Sequence, residues 1–273
     1  MTELKCPVCG DKLFAGKGAY RCRRGHAFDI SRQGYCNLLT GGRPAKTPGD
    51  NQEMARARHF FFAGDPYRIL LDALSRTVCR LLPDGGVLVD AGCGEGYYTA
   101  GIHGALEDAG KYADVLGFDL SKFALRYAAK RDPAARFLAA SLFSLPLFDG
   151  CADLVLSVFA PVAGREFGRI LRPGGTLLIV CPGPRHLFGL KEVLYERPYE
   201  NAENNYDLDG FTLLEKTQVR GEITLQSGED IHSLFLMTPY YWKSPRAGCE
   251  RLSQLDQLTT PIEFEVRAYR WGE

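Results

Sequence analysis

Apolar positions along the chain fall into two regimes. From about residue 65 onward, short apolar runs alternate with amphipathic stretches, the pattern of buried strands separated by helices. Val87 to Asp90, Ala113 to Leu120, Ala135 to Ala139, Cys151 to Val158 and Thr176 to Cys181 read as five strands of a mostly parallel sheet. A helix is expected from about Pro66 to Leu82, and another from Gly164 to Leu171, stopped by Arg172-Pro173-Gly174-Gly175. Phe211 to Gln226 predicts strand, turn and strand. Ser227 then caps a helix through Met237, and Ile262 to Tyr269 alternates as a last strand. Before residue 65 the signal changes. Lys12 to Phe14 and Ala19 to Arg21 alternate as two short strands, and residues 40–50 carry Gly and Pro without apolar periodicity. Asp50, with Glu53 three residues later, opens a helix through about Phe62. The expected division is a small module over 1–38, a linker and helix over 39–64, and a main domain over 65–273.

Composition narrows the class without naming a chemistry. With 273 residues, 45% hydrophobic and 24% charged, the chain is globular, which excludes disorder, collagen and coiled coil. No apolar run approaches the ~18 residues of a membrane helix, and Met1 to Lys5 shows no signal-peptide pattern, so a soluble, cytoplasmic protein with no membrane partner is expected. The net charge of zero hides an asymmetry. Residues 1–64 hold 11 Lys and Arg against 5 Asp and Glu, and the remainder holds 22 against 28. A basic front on an acidic body suits a module that meets a polyanion. Lys17, Arg21, Arg23, Arg24 and Arg32, interleaved with Tyr20, Phe28 and Tyr35, suit phosphate contacts and stacking on exposed bases. Arg43 and Lys46 of the linker can reach a backbone phosphate. Docking of the small module on the main domain is the competing use of the same surface.

Four of the nine cysteines fall within the first 36 residues. Cys6, Cys9, Cys22 and His26 stand in a C-x2-C-x12-C-x3-H pattern, in which each close pair can face one tetrahedral ion from a tight turn. A Cys3His shell leaves no open position, so the expected Zn2+ is structural. A module with so few apolar residues needs the metal in order to fold.

The strand ending in Asp90 runs straight into Ala91-Gly92-Cys93-Gly94-Glu95-Gly96-Tyr97-Tyr98, a glycine loop that opens a helix. Its G-x-G-x-G spacing differs from the dinucleotide G-x-G-x-x-G, and an acid precedes it where a cationic amino group can be bound. Asp119 ends the next strand, with Leu120 beside it, where a carboxylate can take both hydroxyls of a ribose. Ser141-Leu142 follows the third strand, at the expected edge of an adenine. Together these features resemble class I S-adenosylmethionine-dependent methyltransferases. The resemblance implies an α/β fold: a Rossmann-like sheet of seven strands with an antiparallel carboxyl-terminal pair, preceded here by a small N-terminal zinc ribbon.

A narrower likeness spans nearly the whole chain. The Cys3His ribbon, Pro48-Gly-Asp-Asn51, Ala55-Arg-Ala-Arg58, Asp90 to Thr99 and Pro182-Gly-Pro-Arg-His186-Leu187 together resemble the 23S rRNA (guanine-N1)-methyltransferases of the RlmA type. That resemblance implies methyl transfer from S-adenosyl-L-methionine to N1 of a guanine in a 23S rRNA hairpin of domain II, with the ribbon recognising RNA, and it admits a homodimer. The cofactor contacts it carries over are Tyr67, Tyr98, Thr99 and His186, beside Asp90, Gly92, Gly94 and Asp119 from the general fold. Guanine N1 is protonated near neutral pH, so a general base is expected. His186 is one candidate, Glu95 or a backbone carbonyl after Phe159 are candidate acceptors, and the base stays unassigned from sequence. Two other readings share these residues. A small-molecule methyltransferase with a structural zinc module would be marked by a hydrophobic lid in place of a basic surface. An RNA-binding protein with a vestigial cofactor site is disfavoured by the intact Asp90, Gly92, Gly94 and Asp119.

Overall fold

A computed structural model describes residues 1–40 and 49–272; Arg43, Lys46 and Pro48 lie outside them. The amino-terminal alternation folds as four short antiparallel strands, β1 (Leu4–Lys5), β2 (Lys12–Gly16), β3 (Ala19–Cys22) and β4 (Ala27–Asp29), in the order β1-β2-β3-β4. Leu13, Ala19 and Cys22 turn inward, while Phe14 and Arg21, opposite each other in the β2–β3 ladder, turn outward. Strand β5 (Cys36–Asn37) leaves this module and pairs in parallel with the edge of the main sheet.

The chain then builds α1 (Gln52–Ala63), α2 (Arg68–Leu81), β6 (Gly86–Ala91), α3 (Tyr97–Asp108), β7 (Ala113–Asp119), α4 (Lys122–Arg131) and β8 (Arg136–Ala139). It continues through β9 (Ala152–Val158), α5 (Gly164–Ile170), β10 (Leu171–Pro182), α6 (Phe188–Leu194) and β11 (Phe211–Leu225). Helices α7 (Gly228–Leu236), α8 (Tyr240–Lys243) and α9 (Arg246–Leu252) precede the last strand, β12 (Leu258–Trp271). Among the described residues the main sheet has eight strands, in the order β11-β12-β10-β9-β6-β7-β8-β5. The expected seven are all present; β5 is the addition, and at two residues it is too short to carry a readable period. Strand β12 lies antiparallel between β10 and β11, which gives the expected antiparallel end. Strand β6 pairs with β7 on one side and β9 on the other, so the strand order reverses at its carboxyl end. Ligands of open α/β sheets bind at such a reversal.

Strand residues alternate between two hydrophobic clusters, one on each face of the sheet: Leu88, Leu154 and Leu178 in one, Val89, Val155 and Ile179 in the other. The second cluster also contains Leu4, Leu13 and Cys22 of the small module, packed with Leu138, Leu142 and Leu147. Backbone bonds tie the module to the same region, with Lys5 N–H donating to the Pro146 carbonyl at 2.8 Å. No helix among the described residues is long and apolar enough to cross a membrane.

Three local expectations need correcting. Asn51, not Asp50, caps α1, its side chain accepting from Met54 N–H at 2.9 Å; the Asp50 carboxylate accepts instead from Arg58 Nε at 2.9 Å. Strand β10 begins at Leu171, and its pairing with β9 breaks between Leu171 and Thr176, so Arg172 to Gly175 forms a break in register inside the strand. The segment from Phe211 is one strand of 15 residues with an irregularity between Leu213 and Glu215, and contains no turn. Gly221, inside this segment, pairs with Ile262 within the ladder, and a Cβ there would lie 2.6 Å from Ile69 Cδ1. That glycine leaves room for the end of the Ile69 side chain.

Candidate active site and metal centre

Two tight turns set the metal centre. Gly10 N–H donates to the Cys6 carbonyl at 2.8 Å, and Gly25 N–H to the Cys22 carbonyl at 3.1 Å, which folds each ligand pair back on itself. The ligand atoms of Cys6, Cys9, Cys22 and His26 all lie within 4.8 Å of one another. Cys9 Sγ is 3.7 Å from Cys22 Sγ, and His26 Nδ1 is 3.7 Å from Cys6 Sγ and 3.3 Å from Cys22 Sγ. A tetrahedron with Zn–S bonds of about 2.3 Å has edges near these lengths. The donor set and its spacing therefore fit a structural zinc ion.

The basic side chains of the ribbon stand as expected, with Lys17, Arg21, Arg23, Arg24 and Arg32 all exposed. The aromatic part of the expectation fails. Tyr35 is buried at 7% exposure, and Tyr20 and Phe28 pair across β3 and β4 and pack on the hydrophobic cluster that joins ribbon to sheet. These rings stabilise the dock. The exposed aromatic is Phe14, with Lys12 Nζ 5.4 Å and the Arg23 guanidinium 5.6 Å from its ring centre.

At the carboxyl ends of β6, β7 and β9 lies a cavity of about 300 Å³ whose walls include Asp90, Gly92, Gly94, Glu95, Tyr98, Asp119, Leu120 and Leu142. The loop after β6 turns so tightly that a Cβ on Gly92, where φ is 93°, would fall 2.5 Å from Ala160 Cβ; only glycine is accommodated there. Asp90 is buried, with Oδ2 accepting from the Thr99 hydroxyl at 2.5 Å. Burial pushes its carboxyl up to about 7, against the opposing pull of the Thr99 hydrogen bond. Asp119 accepts Gly94 N–H at 3.0 Å on one oxygen and Ser121 N–H at 2.7 Å on the other, and burial raises its titration despite both bonds. Each oxygen keeps a lone pair for a further donor.

Asp90 Oδ1, Glu95 Oε1 and the Tyr98 hydroxyl are buried without a hydrogen-bond partner among the described residues, and all three residues line this one cavity. Buried polar atoms are ordinarily paired, so such a concentration marks a place that a polar ligand completes. An acid at its floor, a carboxylate at the next strand end and a side-chain-free glycine loop fit an amino acid joined to a nucleoside, as S-adenosylmethionine is. Glu95 is fixed from behind: Oε2 accepts from Arg131 Nη2 at 2.6 Å.

A second cavity, of about 640 Å³, opens beside the first. Its walls include Tyr67, His186, Tyr206, Tyr240 and Trp242, and it shares Asp50, Arg58, Phe62, Phe159 and Ala160 with its neighbour. His186 is buried, its Nδ1 3.4 Å from the Glu263 backbone nitrogen. Burial, reinforced by the charge of Lys191, depresses it to about 3, so the ring is neutral at pH 7. Lys191 is itself fully buried, donating to the Tyr199 carbonyl at 2.8 Å and to Asn201 Oδ1 at 2.7 Å.

The residues expected at the cofactor are thus divided. Asp90, Gly92, Gly94, Tyr98, Asp119, Leu120 and Leu142 share the first cavity. Thr99 stands behind Asp90, and Tyr67 and His186 line the second cavity. Ser141 faces a cleft on the ribbon side with Lys5 and Cys6, its hydroxyl accepting from Phe143 N–H at 3.3 Å. Sequence reasoning named the carbonyl after Phe159 but gave the side chains of Asp50, Arg58, Phe62 and Phe159 no role in the site. Phe62 and Arg58 look like ordinary members of an amphipathic helix, and nothing in Phe159-Ala160-Pro161 announces the backbone strain found there.

Known proteins resemble the chain in both parts. A family profile described as RlmA, N-terminal, a zinc ribbon, matches residues 4–41, and one described as methyltransferase domain matches residues 89–179. The 23S rRNA (guanine(748)-N(1))-methyltransferase of Streptomyces fradiae is 41% identical over 194 residues, covering 70% of this chain and 67% of that protein. YxjB of Bacillus subtilis (strain 168), whose name carries the 23S rRNA (guanine-N(1)-)-methyltransferase class, is 32% identical over 279 residues, covering 97% of this chain and 96% of its own. A malonyl-[acyl-carrier protein] O-methyltransferase of Dechloromonas aromatica (strain RCB) is 35% identical over 158 residues, but covers only 51% of this chain.

Proposed function

The chain belongs to the 23S rRNA (guanine-N1)-methyltransferase family, and from that membership we propose how its two cavities divide the work. It is an S-adenosylmethionine-dependent enzyme that methylates N1 of a guanine in 23S rRNA, and it carries a structural zinc ribbon. The observation that carries the division is the seating of the ribbon on the segment from Ala140 to Leu147, whose Leu142 and Phe143 wall the first cavity. An RNA held by the ribbon thereby lies close to the methyl donor.

In our reading Asp90 Oδ1 takes the donor's amino group and Asp119 its ribose hydroxyls. Leu120 and Leu142 flank the adenine, and Gly92 and Gly94 let the backbone approach. Tyr98 adds a hydroxyl, and Thr99 holds Asp90 in place. Tyr67 and His186 shape the neighbouring acceptor side, and Ser141 positions the loop between donor and ribbon. S-adenosylmethionine supplies an electrophilic methyl group; the protein's part is orientation and removal of the N1 proton. Residues 1–38 then serve as the RNA-recognition ribbon, 39–64 as the crossing linker and helix, and 65–273 as the methyltransferase domain. A domain II hairpin as acceptor, the cytoplasm as the place of work and a homodimer as the assembly extend the same reading.

The acceptor class is tested by offering labelled S-adenosylmethionine with unmethylated 23S rRNA, 16S rRNA, tRNA and malonyl-[acyl-carrier protein] in parallel. Label confined to 23S rRNA is the expected result. Label on the acyl-carrier substrate would move the chain to the small-molecule class that shares its methyltransferase half.

A further inference from the structure

The two cavities meet at Asp50, Arg58, Phe62, Phe159 and Ala160. A methyl group passing between two bound molecules crosses at that junction, because transfer needs in-line approach at near contact distance. We propose that the target guanine stacks on the ring of Phe159 with its N1–H directed at the carboxylate of Asp50, which takes the N1 proton as the methyl group arrives. The assignment rests on the reading above, that guanine N1 is the acceptor atom.

Phe159 carries the first part. Its φ of 53° is in the left-handed region, which residues other than glycine rarely adopt. Phe159 nonetheless remains 41% exposed, with His186 at 5.8 Å and Phe264 at 5.9 Å as its aromatic neighbours. Core packing does not explain a strained backbone that holds a ring toward solvent. A flat ligand laid on that ring does, since bases stack favourably on aromatic faces.

The proton acceptor follows by position. The acids lining the first cavity are Asp50, Asp90, Glu95 and Asp119, and of these only Asp50 also lines the second. Arg58 Nε fixes the Asp50 carboxylate through Oδ2 at 2.9 Å, and Oδ1 takes no hydrogen bond from the described residues. His186 is the other titratable candidate in the second cavity, but its depressed basicity and the Glu263 N–H facing Nδ1 unsuit it to accept a proton. In the step itself the N1 electron pair forms the new bond to carbon, and the carbon–sulfur bond breaks with its pair left on sulfur. The N1 proton passes to Asp50 and from there to solvent.

Charged and titratable groups around Asp50 are Arg58 from α1, Asp90, Glu95 and Asp119 along the first cavity, and Tyr67, Cys181, His186, Tyr206 and Tyr240 across the second. The test uses the full-length zinc-loaded protein with an unmethylated 23S rRNA fragment, and compares Asp50→Asn, Phe159→Ala and Phe159→Tyr. Donor binding is measured by calorimetry, and methylation by single turnover across pH. Asp50→Asn should lose far more in rate, about 10²–10⁴-fold, the usual worth of a general base, than in affinity for S-adenosylmethionine. What remains should climb tenfold per pH unit, because N1 must then ionise into solvent. Phe159→Ala should raise KM for RNA by a larger factor than it weakens donor binding, and Phe159→Tyr should restore the KM. An Asp50→Asn enzyme with the wild-type rate and pH profile overturns the proton assignment, and a Phe159→Ala enzyme with wild-type KM overturns the stacking. A wild-type enzyme inactive on the fragment but able to bind the donor would instead count against 23S rRNA as the acceptor.

Discussion

Asp90 shows how a single side chain links burial to donor binding. Its carboxyl titrates at about 7 because it is buried, with Asp119 nearby adding repulsion. For a carboxyl raised in the folded state, the contribution to stability is present below the unfolded value of about 4 and is lost as pH rises through about 7. A bound amino group reverses the preference, since it favours the ionised form. Affinity for S-adenosylmethionine should therefore increase as pH is raised from about 6 to 8 and level off above. Asp90→Asn should bind more weakly with a flat profile. Calorimetric titration at several pH values checks this, and a wild-type affinity constant across the range would remove Asp90 from the amino-group role. The identity of this residue was legible in the sequence, because an acid at a strand end before a glycine loop has few other uses. Its unpaired Oδ1 was not, since pairing depends on the position of Thr99 one helical segment away.

At the scale of elements, apolar period and the glycine loop located the main-domain strands and helices α2, α3, α5 and α7, and left α4, α6, α8 and α9 unread. Apolar period failed where tertiary fit outweighed local signal. The turn expected between Phe211 and Gln226 is absent, and Gly221 lies mid-strand, where a Cβ would meet the end of Ile69. Gly221→Val would meet only the exposed, flexible end of Ile69, so stability should change by less than about 1 kcal/mol, read as a nearly unchanged denaturation midpoint. A loss above about 2 kcal/mol would mean that α2 is held rigidly against β11 there. Strand β5 escaped notice for a different reason: its two residues pair only because the ribbon docks alongside β8. The helix cap moved by one residue because Asp50 is drawn to Arg58, which leaves Asn51 to bond Met54. That displacement puts a carboxylate at the junction of the cavities, so a small misreading of an element hid a functional position.

At the scale of the molecule, ribbon and methyltransferase sheet share one hydrophobic cluster, and the two uses weighed for the ribbon prove compatible. Tyr20, Phe28 and Tyr35 are buried or half-buried while its arginines and Phe14 are exposed, so it is docked and basic at once. The spacing of its ligands was readable because metal geometry is local. The dock was not, because Leu4 and Leu13 find partners more than 100 residues away. Arg23→Ala combined with Arg24→Ala should weaken binding of the rRNA fragment and reduce the slope of log affinity against log salt by about 1–2, the counterion release of one or two phosphate contacts. An unchanged slope in a filter-binding series would restrict the ribbon to a docking role.

The central claim is a methyl group on N1 of one guanine, placed there by a ribbon-bearing methyltransferase. The most direct measurement is reverse transcription along 23S rRNA that has been incubated with enzyme and S-adenosylmethionine, paired with nucleoside mass spectrometry of the same sample. N1 methylation blocks the Watson–Crick edge. One new stop is expected, at a single hairpin-loop guanine, together with one equivalent of N1-methylguanosine. Methylated nucleosides without any stop, or stops spread over many guanines, would contradict it.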